Sequence, residues 1–155
     1  MRITDQYFWN VIFLAFFLCI ACMATIILEG ETVRPYGSLT LVDYTLMVLA
    51  SFRLVRAIVY DKLFAFFREQ FYDVSEHNGN VVLVKPESGP RRTLIDLVTC
   101  PWCVSLWAVL IVSFFYLLTS YAVYPVLLLA LSGVVSLLQI LADFIGWKTK
   151  EARGN

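Results

Sequence analysis

The stretch TCPWC at residues 99–103 places two cysteines on either side of a proline and a tryptophan. Two thiols at this spacing can form a redox pair or supply half of a metal site. A helix that begins at Pro101 would favour the thiolate form of a nearby cysteine at its N-terminus. Cys100 and Cys103 are therefore candidates for thiol exchange or metal binding. The alternative is a helix start, capped by Thr99 or Cys100, with no chemistry.

A second pair with the same spacing, Cys19 and Cys22, raises the question of a zinc site with four cysteine ligands. Cys19 lies deep in an apolar run, roughly 18 Å along a helix from Tyr7 at about 1.5 Å per residue, whereas Cys100 precedes its own apolar run. The four sulfurs are therefore not expected to meet at one metal ion. We interpret Cys19 and Cys22 as small apolar residues at a helix contact and predict no metal and no cofactor.

Other groups that could act in catalysis are sparse. His77 is the single histidine, and it lies in a loop rich in asparagine and glycine, far in sequence from any serine or cysteine. The aspartates at positions 43, 61, 96 and 143 lie near the ends of apolar runs, where charge is tolerated. No pair of carboxylates has a recognisable acid–base spacing, so we do not expect an enzyme.

The amino-acid composition indicates what kind of protein positions these residues. Hydrophobic residues make up 60% of the 155 residues and charged residues only 15%, far from the average of soluble domains. The formal net charge is zero, so the chain offers no basic face for nucleic acid. The sequence predicts one integral membrane domain over residues 1–155, in contact with the lipid bilayer and not with nucleic acid.

Four apolar runs approach the length of a membrane-spanning helix, about 20 residues. The first is too long for a cleavable signal peptide and lacks its basic start, so we interpret it as a retained helix. The last two are separated by a turn near Pro125 and predict an antiparallel hairpin. The predicted fold is an all-α membrane protein with four transmembrane helices, at residues 7–28, 39–60, 104–124 and 126–145.

The central loop, residues 61–99, is the main polar region. Its first part has Leu63, Phe66, Phe67 and Phe71 on one helical face, which predicts a helix that lies in the membrane interface or packs on the protein's own helices. Residues 81–84 form a short β-like run between turn-forming residues, which predicts a small hairpin or an extended loop.

Orientation follows from the lysines and arginines of the connecting segments, because the more basic segments remain in the cytoplasm. One side holds only Arg34. The other side, with both termini and the central loop, is predicted to be cytoplasmic, and its basic residues are Arg2, Lys62, Arg68, Lys85, Arg91, Arg92, Lys148, Lys150 and Arg153. Trp9, Trp102 and Trp147 then fall at the cytoplasmic boundary, as an aromatic belt would require.

Charges inside the second span require partners, since an unpaired buried charge is costly. Arg53 and Arg56 lie one helical turn apart on the cytoplasmic half of this span. We predict that Asp143, at a similar depth on the fourth span, bonds to Arg53 or Arg56; Asp61 is the competing partner for Arg56. The alternative is that both arginines extend to lipid phosphates.

Two stretches, LASFRLVRAIVYD at residues 49–61 and LVTCPWCVSLW at residues 97–107, resemble the bacterial family catalogued as domain of unknown function 1360, which includes a sporulation-associated membrane protein. The resemblance covers about residues 43–145 and departs from the family in the extra first span and the longer loop. It implies a bacterial inner (cytoplasmic) membrane protein and supplies no reaction. The motif positions are Arg53, Arg56, Asp61, Cys100, Cys103 and Trp107.

Three functions remain open on the sequence. The first is a small structural or accessory membrane subunit, homo-oligomeric or docked on a larger complex. It is favoured by small residues on the fourth span that permit close helix approach, namely Ala130, Ser132, Gly133 and Ser136. The second is a membrane thiol-redox or metal-binding protein that uses Cys100 and Cys103. The third is a holin-like or small channel protein, which is disfavoured because no span shows a continuous polar stripe.

Overall fold

The computed structural model describes residues 3–77, 80–86 and 89–153 of the chain. Several sequence predictions fall on residues outside this description. Arg2 lies before the first described residue. The side chains of Leu63, Phe67, Arg68, His77 and Arg153, and those of residues 81–83, are likewise outside the description.

The N-terminal part of the chain forms two helices. Helix α1 extends over Ile3–Glu31 and α2 over Leu41–Val59. A capping box fixes the start of α2: the Thr40 hydroxyl accepts a bond from the backbone N–H of Asp43, and the Asp43 carboxylate accepts the backbone N–H of Thr40 at 2.8 Å. These bonds satisfy N–H groups that the first turn of a helix leaves without a partner.

The segment between α2 and the CPWC stretch contains more regular structure than the predicted loop. A 3₁₀ turn at Lys62–Phe64 leads into the short helix α3, Ala65–Glu69. Strand β1, Asp73–His77, pairs antiparallel with β2, Asn80–Val84. Helix α4, Pro90–Thr99, was not predicted. Pro90 is tolerated at its first position, where the missing N–H has no partner in any case.

The remaining helices are α5, Pro101–Leu118, and α6, Val123–Arg153. Cys100 is the extended residue between α4 and α5, and Pro101 opens α5 as predicted. Thr99 does not cap α5, since its hydroxyl donates to the carbonyl of Ile95 within α4 at 2.6 Å. The turn between α5 and α6 includes Ser120–Ala122, and Pro125 lies inside the first turn of α6, where a proline does not interrupt the helix.

The hydrophobic core lies where α2 packs against α5 and α6. Its buried residues are Met47, Ala50, Val112, Tyr116, Val126 and Ala130. The backbones of α2 and α6 approach closely at Gly133, where a Cβ atom would lie 2.5 Å from the carbonyl oxygen of Leu49. Helix α1 is more peripheral and contacts α5 and α4. The small residues of α6 therefore serve a contact within one chain.

Three helical segments of the described chain are long and apolar enough to cross a membrane: Tyr7–Glu31, Pro101–Leu118 and Ser120–Glu151. Helix α2 is not among them. It has 19 residues, and Asp43, Arg53 and Arg56 lie within it. Length and composition therefore support three candidate spans and do not support the predicted fourth.

Replacement of Gly133 by alanine should destabilise the protein, because the added methyl group would collide with the backbone of Leu49. We expect a loss of about 1–3 kcal/mol, the usual cost of overpacking. Thermal unfolding of the purified protein in detergent measures it.

The matched control is Gly146→Ala on the same helix, where a Cβ atom would meet no atom within 4 Å. Alanine is also the better helix former, so this variant should unfold at the same temperature or a higher one. Equal stability of the Gly133→Ala variant and the wild type would contradict the close packing of α2 on α6.

Candidate functional site

Arg53 connects three parts of the chain near the C-terminal end of α2. Its Nη1 lies 2.9 Å from Oδ2 of Asp61, just beyond α2, and its Nε donates a hydrogen bond to Oγ of Ser132 on α6 at 2.9 Å. The side chains of Arg53 and Asp61 are 25% and 33% exposed. Charged groups that are partly removed from water need such partners. Arg53 therefore fixes α2 against α6.

The prediction that Asp143 pairs with Arg53 or Arg56 was wrong. Asp61 takes this place: its carboxylate bonds to the Arg53 guanidinium, while its backbone N–H donates to the carbonyl of Arg56. The guanidinium of Arg56 instead lies over the ring of Tyr60, 5.3 Å from its centroid. The cause is the stagger of the helices: α6 meets Arg53 at Ser132, and Asp143 is exposed roughly 16.5 Å farther along the helix at about 1.5 Å per residue.

A second polar cluster, near the N-terminal end of α2, was not predicted as a site. The buried Tyr116 of α5 donates a hydrogen bond to the Asp43 carboxylate. The guanidinium of Arg34 lies 4.7 Å from the centroid of the Tyr116 ring, and the backbone N–H of Arg34 donates to the carbonyl of Leu117 at 3.3 Å. The spacing of Thr40 and Asp43 signals a capping box, but no local pattern identifies Tyr116 as the partner.

The thiols of the CPWC stretch lie where α5 begins. Cys100 and Cys103 are free and half-buried. The Cys103 thiol and the backbone N–H groups of Cys103 and Trp102 lower the pKa of Cys100, and together they outweigh partial burial. Cys103 therefore stands beside a thiol that ionises more readily than usual. A lowered pKa and a neighbouring thiol are the requirements for thiol–disulfide exchange.

These thiols line a cleft of about 530 Å³ between α1, α4 and α5. Asp96 of α4 also lines the cleft; its carboxylate bonds to the Lys85 ammonium group and lies 3.9 Å from Nε of Arg92. The ring of Trp107 also lines the cleft and meets that of Phe17 edge to face, with 4.9 Å between centroids. Trp107 of α5 thus packs against α1.

Metal binding has less support than thiol chemistry. Over residues 3–77, 80–86 and 89–153, no group of three or more histidine, cysteine, aspartate or glutamate side chains could hold a metal ion. Cys19 and Cys22 are exposed on α1 and form no such group with Cys100 and Cys103.

Two relatives from Bacillus subtilis (strain 168) are similar to much of this chain. UPF0713 protein YngL is 29% identical over 105 residues, which cover 65% of this chain and 78% of the relative. Sporulation protein YjcA is 31% identical over 109 residues, which cover 63% of this chain and 88% of the relative. No solved structure matches.

A family match covers residues 46–142. This segment begins within α2, ends within α6, and leaves α1 outside. It contains the motif positions named from the sequence, Arg53, Arg56, Asp61, Cys100, Cys103 and Trp107. The chain belongs to the family described as Protein of unknown function (DUF1360).

Proposed function

We propose that the protein is a small structural or accessory subunit of the bacterial cytoplasmic membrane that assembles as a homo-oligomer through α6. The observation that carries this proposal is the C-terminal part of α6, where residues 137–151 are all exposed and include Gln139 and Asp143, one helical turn apart. Polar side chains on a membrane helix are costly when they face lipid. They stabilise contacts between helices when a second helix covers them.

The proposed topology has four spans, with α2 as the second. At 19 residues, α2 is about 28 Å long, close to the hydrocarbon thickness of about 30 Å. Its charged groups lie toward its two ends and have partners: Asp43 bonds to Tyr116 and Arg53 to Asp61. The core packing of α2 against α5 and α6 also covers one face of α2, while exposed apolar side chains such as Leu41 and Val48 would face the lipid. These contacts support a membrane position that composition alone does not.

This topology places both termini and residues 61–99 in the cytoplasm. The described basic residues on that side include Lys62, Lys85, Arg91, Arg92 and Lys148, against Arg34 on the other side, as the positive-inside rule requires. The exposed rings of Trp102 and Trp147 would then lie at the cytoplasmic interface.

A second candidate function is thiol exchange by Cys100 and Cys103. It is favoured by the shared position of the two thiols at the start of α5 and by the lowered pKa of Cys100. In a cytoplasmic setting the resting state is the dithiol. A disulfide would then form transiently, during reaction with an oxidised partner.

The oligomer is tested by the mass of the purified protein in a mild detergent. We expect a species heavier than the 17.7 kDa chain. Gln139→Leu removes an amide from the proposed contact, and a membrane hydrogen bond between helices contributes about 1–2 kcal/mol, so the dissociation constant should rise about tenfold. Leu138→Ala, on the neighbouring exposed position, is the control. A wild-type chain that stays monomeric at every concentration would contradict the proposal.

Topology is tested with single cysteines in a chain whose four native cysteines are replaced by serine. With four spans, a membrane-impermeant maleimide labels Ser38→Cys in intact cells and labels Arg91→Cys only in inverted vesicles. Both positions are exposed. With three spans, omitting α2, both cysteines would react from the same face, so labelling of the two positions from opposite faces supports four spans and labelling from one face contradicts them.

The thiol hypothesis predicts how alkylation of Cys100 depends on pH. Because the pKa of Cys100 is lowered from the ordinary thiol value of 9.0, its rate with iodoacetamide should reach half-maximum at a pH below that value. Cys103→Ala removes the main cause of the lowering, so its rate curve should move to higher pH. Mass spectrometry of peptides that carry Cys100 measures both rates. Identical curves for the two proteins would contradict the proposed role of Cys103.

A further inference from the structure

The cleft beside the CPWC thiols combines sulfur chemistry with an apolar interior. Its polar groups are Asn10, Thr93, Asp96 and the two thiols. Its apolar walls include Phe13, Phe17, Leu97, Leu106 and Trp107. A volume of about 530 Å³ lies within the usual range for small-molecule sites, roughly 300–1,000 Å³. The cleft is therefore large enough for a small molecule with a planar ring that contacts the two sulfur atoms.

Helix geometry directs both the thiols and an aromatic ring toward this cleft. Cys103 and Trp107 are one turn apart on α5, so they share a face with Cys100 at the helix start. The rim carries Leu14 and Leu106, which are 58% and 59% exposed. A ligand that enters the cleft over this rim passes apolar side chains, which favours a lipophilic ligand over a hydrophilic one.

Charge in the cleft is compensated. Asp96 is the acidic group of its lining, and both Lys85 and Arg92 lie against its carboxylate. A cationic ligand would therefore find the Asp96 carboxylate already paired, and the residues that line the cleft offer no basic side chain to an anion. A neutral, flat molecule with carbonyl oxygens fits better, because aromatic walls can pack against its ring and the Asn10 amide can donate to an oxygen.

We propose that this cleft binds a lipophilic quinone and that the Cys100–Cys103 dithiol reduces it. The inference rests on the thiol function proposed above and names the oxidant. The two thiols lose two electrons and two protons and form one S–S bond. The quinone takes up those electrons and protons on its two carbonyl oxygens and leaves as the hydroquinone. Low-molecular-weight thiols of the cytoplasm would return the disulfide to the dithiol by exchange.

The experiment uses the full-length protein in detergent, with Cys19 and Cys22 replaced by serine so that two thiols remain. The probe is a benzoquinone with a decyl chain and a fully substituted ring, which disfavours simple arylation of thiols. Under anaerobic conditions we expect one disulfide between Cys100 and Cys103 per hydroquinone formed. Peptide mass spectrometry detects the disulfide, and the absorbance of the quinone reports its reduction. Cys103→Ser should abolish both signals.

The control variants separate binding in the cleft from thiol reactivity. Trp107→Ala removes an aromatic wall and should slow oxidation by the quinone about tenfold, the effect of a lost aromatic contact together with its buried area. Trp102→Ala, a neighbouring indole that is 83% exposed and lies outside the cleft, should react at the wild-type rate. Oxidation by glutathione disulfide, measured in parallel, shows that each variant keeps a functional dithiol.

The outcomes distinguish quinone reduction in this cleft from the more general function of thiol exchange by Cys100 and Cys103. If glutathione disulfide forms the Cys100–Cys103 bond and the quinone does not, the quinone inference is overturned and the thiol function stands. If neither oxidant forms the bond, both fail. Equal slowing of the quinone reaction by Trp107→Ala and Trp102→Ala would overturn binding in this cleft. Stoichiometric hydroquinone with slowing by Trp107→Ala alone supports it.

Discussion

The close approach of α2 and α6 at Gly133 is the constraint on which the rest of the structure depends. The missing side chain lets the Leu49 carbonyl approach the α6 backbone, and the neighbouring Ser132 then comes within hydrogen-bonding distance of Arg53. Ala50 is fully buried in the same contact region. A wider spacing would leave the Arg53 Nε without this partner in a poorly hydrated place, where a missing hydrogen bond is costly. One glycine thus links apolar packing to charge compensation.

Helix α5 contacts α2 near one of its ends and α1 near the other. Tyr116 lies in the core beside Met47, while its hydroxyl bonds to Asp43 at the start of α2, so one side chain serves packing and polar bonding together. At the opposite end of α5, Trp107 contacts Phe17 and brings α1 against the cleft. Since α1 lies outside the family match, one wall of this cleft is built by a segment that the family pattern does not include.

Sequence reasoning located the helices better than their contacts. Hydropathy identified four apolar runs, and the proline rule placed the start of α5 at Pro101. The position of a charged residue along its own helix was a poor guide to its ion-pair partner, because the sequence does not show how far two packed helices are shifted along their axes. Asp143 lies farther along α6 than Ser132, the residue at which α6 contacts Arg53. Helix α4 was missed because proline and glycine before it indicate a loop, yet Pro90 is its first residue. The partnership of Tyr116 with Asp43 has no local signature.

The polar segment that precedes the CPWC stretch influences the thiols through Asp96. This carboxylate lies one helical turn before Cys100, and its negative charge acts to raise the pKa of that thiol. Lys85, the residue directly after β2, bonds to Asp96, and Arg92 lies against its other oxygen. The hydrogen bonds from the Cys103 thiol and from the backbone N–H groups of Cys103 and Trp102 outweigh the effect of the carboxylate, so the pKa of Cys100 is lowered. Strand β2 and α4 therefore do more than connect α2 to α5, because they bring Lys85 and Arg92 against the carboxylate that precedes the thiols by one helical turn.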